Sequence, residues 1–321
     1  MSRSANVLRL SSLLLILTAA VSLTAAPVEK RKAPAGKAGP THFLRVQRDD
    51  KKQITGLETS VVRYAPASGE GDVTVDLIGA VHIADRPYYE RLNELFDKYD
   101  VVLYELVAPK GKEVPRRGRR SDSPVAVLQQ LAQIVLGLDY QMDRIDYTKK
   151  NFVHADLSPE GIARAIRKRG DDGLTLLLGI TADILRQQNL REQEGEKAPA
   201  GKQENFDLSE LLEPKGALKL KRIIAEQFAG AANGTGLGRT LDTILISDRN
   251  EAAMKVFQKE LARGKKKIAI FYGAAHLPDF EKRLRGDFGL KRQGERWLTA
   301  WDLKKEGKGL GFEDLLKLLE P

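Results

Sequence analysis

The chain contains no cysteine, and that absence excludes several kinds of chemistry. Disulfide bonds, a thiolate nucleophile, cysteine-ligated zinc and a lipidated N-terminal cysteine all need a thiol. Histidine is scarce, with four residues, so any imidazole-based site must draw on this small set. Aromatic residues make up 6% of the chain and do not alternate with basic residues along one ordered face. We therefore expect no nucleic-acid partner.

Long apolar runs are absent beyond residue 26, so we expect that the mature chain does not span a membrane. Residues 1–26 follow the order of an export signal: Arg3 and Arg9, then the apolar run LSSLLLILTAAVSL, then small residues. We expect a cleaved signal peptide over 1–26 and a periplasmic or extracellular protein. The alternative is an uncleaved anchor, for which the apolar run is short.

The net charge of +9 is concentrated in two segments. Residues 1–41 hold six basic residues and one acidic residue, and the run KGKEVPRRGRR at 110–120 has the same balance. The rest of the chain is close to neutral. We expect 27–41, which is rich in Pro, Gly, Ala and Lys, to be a flexible linker, and 109–122 to be a mobile basic loop. Attraction of these segments to an anionic surface stays open.

The pattern of apolar residues predicts a single mixed α/β domain over residues 42–321. HFLRVQRD and ETSVVRYAP favour antiparallel strands, while VTVDLIGAVH, DVVLYELVAP and KKIAIFYGAAH favour buried strands. Between the first two buried strands, DRPYYERLNELFDKY predicts an amphipathic helix, and we expect a right-handed βαβ unit with a parallel pair. The expected architecture is a central mixed sheet flanked by helices, in two related halves, with a helical insertion over 123–235.

Each half carries the same motif at the end of a strand. LIGAVHIAD contains His82 and FYGAAHLPD contains His276, each in a Gly-Ala-x-His sequence that is followed by an aspartate, Asp85 or Asp279. In open α/β sheets, ligands bind at the carboxyl edge of the strands, where these histidines are expected. Two neighbouring strands of this kind would bring two imidazoles to one edge. We expect the aspartates to cap the following helices, and orientation of the imidazoles is the alternative.

Glu105 stands in the otherwise apolar segment VVLYELV. A carboxylate buried in such a strand needs a partner or a bound cation. A strand–helix–strand unit covers its separation from His82, so we expect the two side by side at one edge of the sheet. With His276 they form a two-histidine, one-carboxylate set that suits a divalent metal with a site open to water. Simple pairing with Arg249 or with His82 is the alternative for Glu105.

These residues resemble the pattern of the TraB/GumN family, which includes the Tiki-type metalloproteases. The family is grouped with the erythromycin esterases and the haem-binding ChaN-like proteins. Its pattern is Gly-x-x-His after an early strand, Glu in the next strand, Arg-Asn or Arg-Asp opening a late helix, and a second Gly-x-x-His. The matching residues here, in the same order between about residues 73 and 301, are His82, Glu105, Arg249, Asn250 and His276.

The resemblance implies an exported, metal-dependent hydrolase whose expected substrate is a peptide or protein. It implies that His82, His276 and Glu105 bind manganese, cobalt or zinc, and that Glu105 and Arg249 are catalytic. Arg249 would then hold a substrate carbonyl or a developing oxyanion. Asn250 would support the ligands or contact the substrate.

Two other functions stay open at this stage. The first is a binding module without turnover, which would hold haem or a peptide at the same edge. The second is metal-free ester hydrolysis with His82 as general base and Glu105 orienting it. His154, in NFVHADLSP, precedes a helix together with Asp156, and we expect it to pack or cap, with a contribution to the site as the alternative. The chain has no phosphate loop, no dinucleotide-binding glycine motif and no Gly-x-Ser-x-Gly elbow.

Overall fold

The computed structural model describes residues 42–107, 136–168, 215–232 and 246–304. The expected signal peptide (1–26), linker (27–41) and basic loop (109–122) lie outside these ranges, as does most of the expected insertion (123–235).

The centre of the fold is a seven-stranded mixed sheet. In chain order its strands are β1 (Leu44–Arg48), β2 (Ile54–Pro66), β3 (Thr74–Ala80), β5 (Val101–Tyr104), β7 (Phe152–His154), β8 (Lys267–Gly273) and β9 (Leu290–Asp302). A two-stranded sheet pairs β4 (Ile83–Ala84) with β6 (Asp139–Tyr140). The helices of the described ranges are α1 (Arg86–Phe96), α2 (Gln141–Arg144), α3 (Pro159–Lys168), α4 (Gly216–Ala232), α5 (Asp248–Ala262) and α6 (Leu277–Gly286), and a 3₁₀ turn covers Ala274–His276.

The sheet combines an antiparallel half with a parallel half. Its strand order is β1–β2–β3–β8–β5–β7, with β9 also paired to β2. The partners of β2 are all antiparallel to it, whereas the β3–β8, β8–β5 and β5–β7 pairs are parallel. β8 is buried from Ile268 to Tyr272, as expected for a central parallel strand that is covered on both faces. The expectation of a central mixed sheet flanked by helices is confirmed.

Helix α1 shows how the sequence period produces the packing. The predicted stripe consists of Tyr88, Leu92, Leu95 and Phe96. It is buried against the sheet, and Tyr89 is buried with it. Tyr88 donates from its hydroxyl to the Gly79 carbonyl at 2.9 Å, and Phe96 packs edge-on against Phe271 with ring centroids 4.8 Å apart. Each such side chain contributes about 1.5–3 kcal/mol when it leaves water. This stripe fixes α1 on the sheet.

The predicted βαβ unit forms, but its two strands are not neighbours. β8 lies between β3 and β5 and pairs in parallel with both. A crossover helix sets the direction of the second strand but leaves room for a strand from elsewhere in the chain to enter between them.

The segment 123–235, which we expected to be helical, contributes strands as well. Phe152–His154 forms β7, which pairs in parallel with β5, and Asp139–Tyr140 forms β6, which pairs with β4. The N–H and C=O groups along the outer edge of β5 need partners, and β7 supplies them. Within the described residues of the whole chain, no helix is long and apolar enough to cross a membrane.

Candidate functional site

Three adjacent parallel strands bring the predicted site residues to one edge of the sheet. β3 and β8 pair in register, with Ala80 opposite Gly273 at their ends, and β5 pairs on the other side of β8. His82 follows β3, His276 ends the 3₁₀ turn after β8, and Glu105 follows β5. The two Gly-Ala-x-His segments are therefore neighbours at the carboxyl edge, which is where open α/β sheets bind ligands.

Glu105 lies next to the strand of His276, and the expectation that it lies inside an apolar strand beside His82 is wrong. β5 ends one residue earlier, and β8 separates β5 from β3. Glu105 Oε2 accepts a hydrogen bond from the Gly273 amide at 2.7 Å, and Oε1 accepts one from Arg249 Nη2 at 2.7 Å. Because its side chain is only 15% exposed, these bonds are what make the charge tolerable.

The surroundings of Glu105 keep it ionised. Burial raises its pKa, but the Arg249 guanidinium and the Gly273 amide, which both bond to the carboxylate, act in the opposite direction, and the pKa lies below its ordinary value. The carboxylate is therefore charged at neutral pH. His82 follows β3, and its side chain is exposed.

The glycine of each motif is needed for close approach. A Cβ atom at Gly273 would lie 3.3 Å from Glu105 Oε2 and 3.8 Å from His276 Cδ2. A Cβ atom at Gly79 would lie 3.3 Å from both Leu277 Cδ1 and a backbone oxygen. Glycine in the second motif thus lets the carboxylate rest on the strand end, and glycine in the first lets α6 pack there.

Asn250 holds the His276 ring in one orientation. Asn250 Nδ2 donates to the His276 carbonyl at 2.9 Å and to Asp279 Oδ2 at 2.9 Å. Both partners are acceptors, so the amide nitrogen is the atom that faces them and Oδ1 faces the ring. Oδ1 lies 2.7 Å from His276 Nδ1, which therefore carries the proton of the neutral ring. The lone pair is then on Nε2, which lies 3.7 Å from Glu105 Oε1.

His276 is held as a neutral imidazole. The residue is 6% exposed, and burial lowers its pKa below the ordinary value although Glu105 acts in the opposite direction. Tyr272 packs edge-on against the ring, with centroids 5.2 Å apart. A neutral ring with a free Nε2 lone pair can ligate a metal ion or accept a proton.

Two consecutive residues at the start of α5 hold the two central groups of the site. Arg249 bonds to Glu105 and Asn250 bonds to His276. Since neighbouring residues on a helix point about 100° apart, one turn of α5 reaches the ends of both β5 and β8. This explains why an Arg-Asn pair at a helix start belongs to the same site as the strand-end residues.

Asp156 belongs to this site, a contribution that the sequence offered only as the alternative to packing or capping. Its carboxylate accepts from Arg249 Nε at 3.0 Å and from Nη2 at 2.6 Å, and its side chain is 0% exposed against 11% for Arg249. Burial opposes the charge of Arg249, but Asp156 and Glu105 outweigh it and hold the pKa of the guanidinium above its ordinary value. The signal in the sequence was an acid beside apolar residues after His154, but nothing there identified Arg249 as its partner.

The aspartates that follow the two histidines do not cap the next helices, so that expectation is wrong. Neither α1 nor α6 has a side-chain hydrogen bond from its N-cap residue. Asp279 instead accepts from Asn250 and from Arg283 Nε at 2.6 Å, and so supports the second imidazole through Asn250. Asp85 accepts from the backbone N–H of Asp302 and ties the end of the first motif to β9. In each case the aspartate bonds to a tertiary partner instead.

His154 does not contact the other site residues. Its Nε2 lies 2.6 Å from the Leu106 carbonyl oxygen, and its ring packs edge-on against Tyr104 with centroids 5.7 Å apart. The structure thus gives His154 the packing role that was expected, joining β7 to the chain after β5.

The chemistry of the donor set fits a divalent cation. His276 Nε2 and Glu105 Oε1 lie 3.7 Å apart, and two ligands of tetrahedral zinc, at bond lengths near 2 Å, lie roughly 3.3 Å apart. Glu105 and Asp156 carry one more negative charge than Arg249 neutralises. His82, the third expected ligand, is exposed and follows β3, the strand that pairs with β8. Across residues 42–107, 136–168, 215–232 and 246–304, no group of three or more His, Cys, Asp or Glu side chains is already arranged for a metal.

The fold and the site define a mixed α/β protein with a histidine–carboxylate site at the carboxyl edge of its parallel strands. No protein-family model, no curated protein and no solved structure matches the chain. Membership of the TraB/GumN family is accordingly a proposal that rests on the motif residues.

Proposed function

We propose that the protein is an exported, metal-dependent hydrolase of the TraB/GumN type that cleaves peptide bonds. One observation carries the proposal: the Nε2 lone pair of neutral His276 and the charged Glu105 carboxylate face each other at 3.7 Å, and hydrogen bonds from Asn250 and the Gly273 amide hold the two groups in place. Two lone-pair donors in this arrangement repel each other unless a cation or a proton lies between them. Export is supported by residues 1–26, and peptide substrates by the resemblance to Tiki-type proteases.

The residues of the site have separate roles in this proposal. His276 and Glu105 would hold a divalent ion and the exposed His82 would complete the set, with manganese, cobalt or zinc as the ion. When bound, the ion would polarise the substrate carbonyl and lower the pKa of a water molecule. Asn250 keeps the His276 lone pair directed at the site, and Arg249 fixes Glu105. Donors held in place beforehand need no rearrangement during the reaction, which is a large part of catalysis.

Metal content tests the proposal directly. The purified mature chain, loaded with zinc, manganese or cobalt in turn and desalted, is expected to retain about one ion per chain by elemental analysis. His276→Ala and His82→Ala are expected to lose the ion. His42→Ala is the matched control, because His42 is exposed and lies at the start of the described chain. Hydrolysis of a peptide and an ester panel is measured on the same samples, before and after chelation.

The possible results separate the alternatives. Retention of the ion by His82→Ala and His276→Ala, or its absence from every form of the chain, would overturn metal dependence. Absence of hydrolysis with every metal would leave a binding module for haem or peptide as the function of the site.

Metal-free hydrolysis is the second candidate. The sequence suggested His82 as its general base, but the geometry favours His276. His276, rather than His82, has its ring fixed and its Nε2 lone pair near the Glu105 carboxylate. His276 would then be the general base for a water molecule. Hydrolysis that survives exhaustive chelation and disappears in His276→Ala would select this candidate.

Gly273→Ala is expected to lower turnover on the order of tenfold, because the added methyl group displaces the Glu105 carboxylate from its partners. Stability is expected to change by no more than about 1 kcal/mol, since alanine also restricts the unfolded chain. Turnover and thermal unfolding are measured on the same preparation. Gly286→Ala is the control, because no atom lies within 4 Å of a Cβ placed there. Equal turnover of the two variants would contradict this role for Gly273.

A further inference from the structure

Gln141 and Tyr147 form a buried polar pair that the proposed function does not use. Gln141 Nε2 donates to the Tyr147 hydroxyl oxygen at 2.8 Å, and both residues are 6% exposed. The Oε1 atom of Gln141 is buried and has no hydrogen-bond partner. A buried amide oxygen that accepts no hydrogen bond is rare in a folded protein and requires an explanation.

This pair bridges the ends of the two strands that carry His82 and Glu105. The backbone N–H of Gln141 donates to the His82 carbonyl at 2.8 Å. The ring of Tyr147 packs against that of Tyr104, with centroids 5.1 Å apart, and Tyr104 directly precedes Glu105. Tyr147 is thus linked through Gln141 to the backbone of the first histidine segment. Its ring packs on the residue that precedes Glu105.

The hydroxyl of Tyr147 remains a hydrogen-bond donor under all ordinary conditions. Burial raises the pKa of Tyr147 well above its usual value, the Gln141 bond acts the other way, and the Glu105 charge raises it again. Because the oxygen of the phenol accepts from Gln141, its own hydrogen points elsewhere. Within the described ranges the hydroxyl makes no second hydrogen bond.

A hydrogen-bond donor to the substrate oxygen would add to the polarisation that a bound ion supplies. Arg249 was expected to be that donor, but its Nε and Nη2 groups already bond to Asp156 and Glu105. When water adds to a carbonyl carbon, the new C–O bond forms, the π pair moves to the carbonyl oxygen and the water proton passes to a base. That oxygen gains most from a donor fixed in advance.

We infer that Tyr147 is a further catalytic residue of this site, which donates its hydroxyl hydrogen to the developing oxyanion of the substrate, and that Gln141 positions it. This inference rests on the proposed hydrolase function. The substrate class that fits such a donor is an acyl compound, an ester or an amide, whose carbonyl oxygen becomes an oxyanion.

The test is Tyr147→Phe, which removes only the hydroxyl. We expect kcat to fall on the order of 100-fold, with KM changed less than threefold and thermal stability retained. Tyr104→Phe is the matched control, since it makes the same change on the adjacent ring. Gln141→Glu is the second variant: its carboxylate accepts the phenol hydrogen and diverts it from the substrate. It is therefore expected to lose turnover with the hydroxyl still present.

Binding of a peptidyl phosphinate, whose P–O⁻ group imitates the oxyanion, gives a readout that needs no turnover. Calorimetry is expected to show at least tenfold weaker binding to Tyr147→Phe than to Tyr104→Phe. If the parent chain hydrolyses the panel and Tyr147→Phe does so equally well, the inference is wrong and the hydrolase proposal stands. If no form hydrolyses the panel, the hydrolase proposal fails. In that case weaker phosphinate binding by Tyr147→Phe supports the donor role, and equal or absent binding overturns it.

Discussion

Replacing Glu105 with glutamine is expected to lower the rate of hydrolysis by about a thousandfold. The substitution removes the negative charge, and it also places an amide N–H₂ against either the Gly273 amide or Arg249 Nη2, both of which are donors. The site then loses both a lone-pair donor beside His276 and the fixed position of that side chain. Arg249 keeps its two bonds to Asp156, so the protein is expected to stay folded.

The matched control is Glu58→Gln. Glu58 is 7% exposed and accepts from Arg45 Nε at 2.7 Å, so it is a buried carboxylate with an arginine partner, away from the site. Turnover of both variants is compared after their folding has been checked by thermal unfolding. A Glu105→Gln protein that hydrolyses as fast as Glu58→Gln would remove Glu105 from the reaction.

Replacing Asp156 with alanine is expected to reduce the free energy of unfolding by about 3–5 kcal/mol. The Asp156 carboxylate is fully buried against Arg249 and also accepts from the Leu157 amide at 2.7 Å. Its removal leaves the buried guanidinium with one carboxylate in place of two. Denaturant unfolding of the variant and the parent chain measures the difference.

Two comparisons show whether that loss comes from incomplete neutralisation of the buried Arg249 charge. Asp97→Ala removes an exposed carboxylate, 62% exposed and paired with Lys149, and is expected to change stability by no more than about 1 kcal/mol. Asp156→Leu combined with Arg249→Met and Glu105→Gln removes all three charges of the network and is expected to recover part of the loss. An Asp156→Ala protein as stable as Asp97→Ala would show that the Arg249 network contributes little to the fold.

Several features of the protein could be predicted from the sequence because each depends on local order. The stripe of Tyr88, Leu92, Leu95 and Phe96 follows the helical period, and it is buried as that period predicts. The repeated Gly-Ala-x-His sequence placed His82 and His276 at strand ends, since apolar runs and glycine mark where a buried strand stops. Arg249 was named as a candidate partner of Glu105, because a carboxylate among apolar residues needs one.

The sequence by itself thus determined which residues can form the site and which edge of the sheet holds them. The tertiary structure alone decided their neighbours. β8 enters between β3 and β5, and this long-range pairing moved Glu105 from the side of His82 to that of His276. Segment 136–168 contributes β7 to the sheet and Asp156 to the site. Asp279 accepts a hydrogen bond from Asn250 and does not cap its own helix. These partners depend on which buried polar groups the tertiary fold brings into contact, and the spacing of residues along the chain does not specify those contacts.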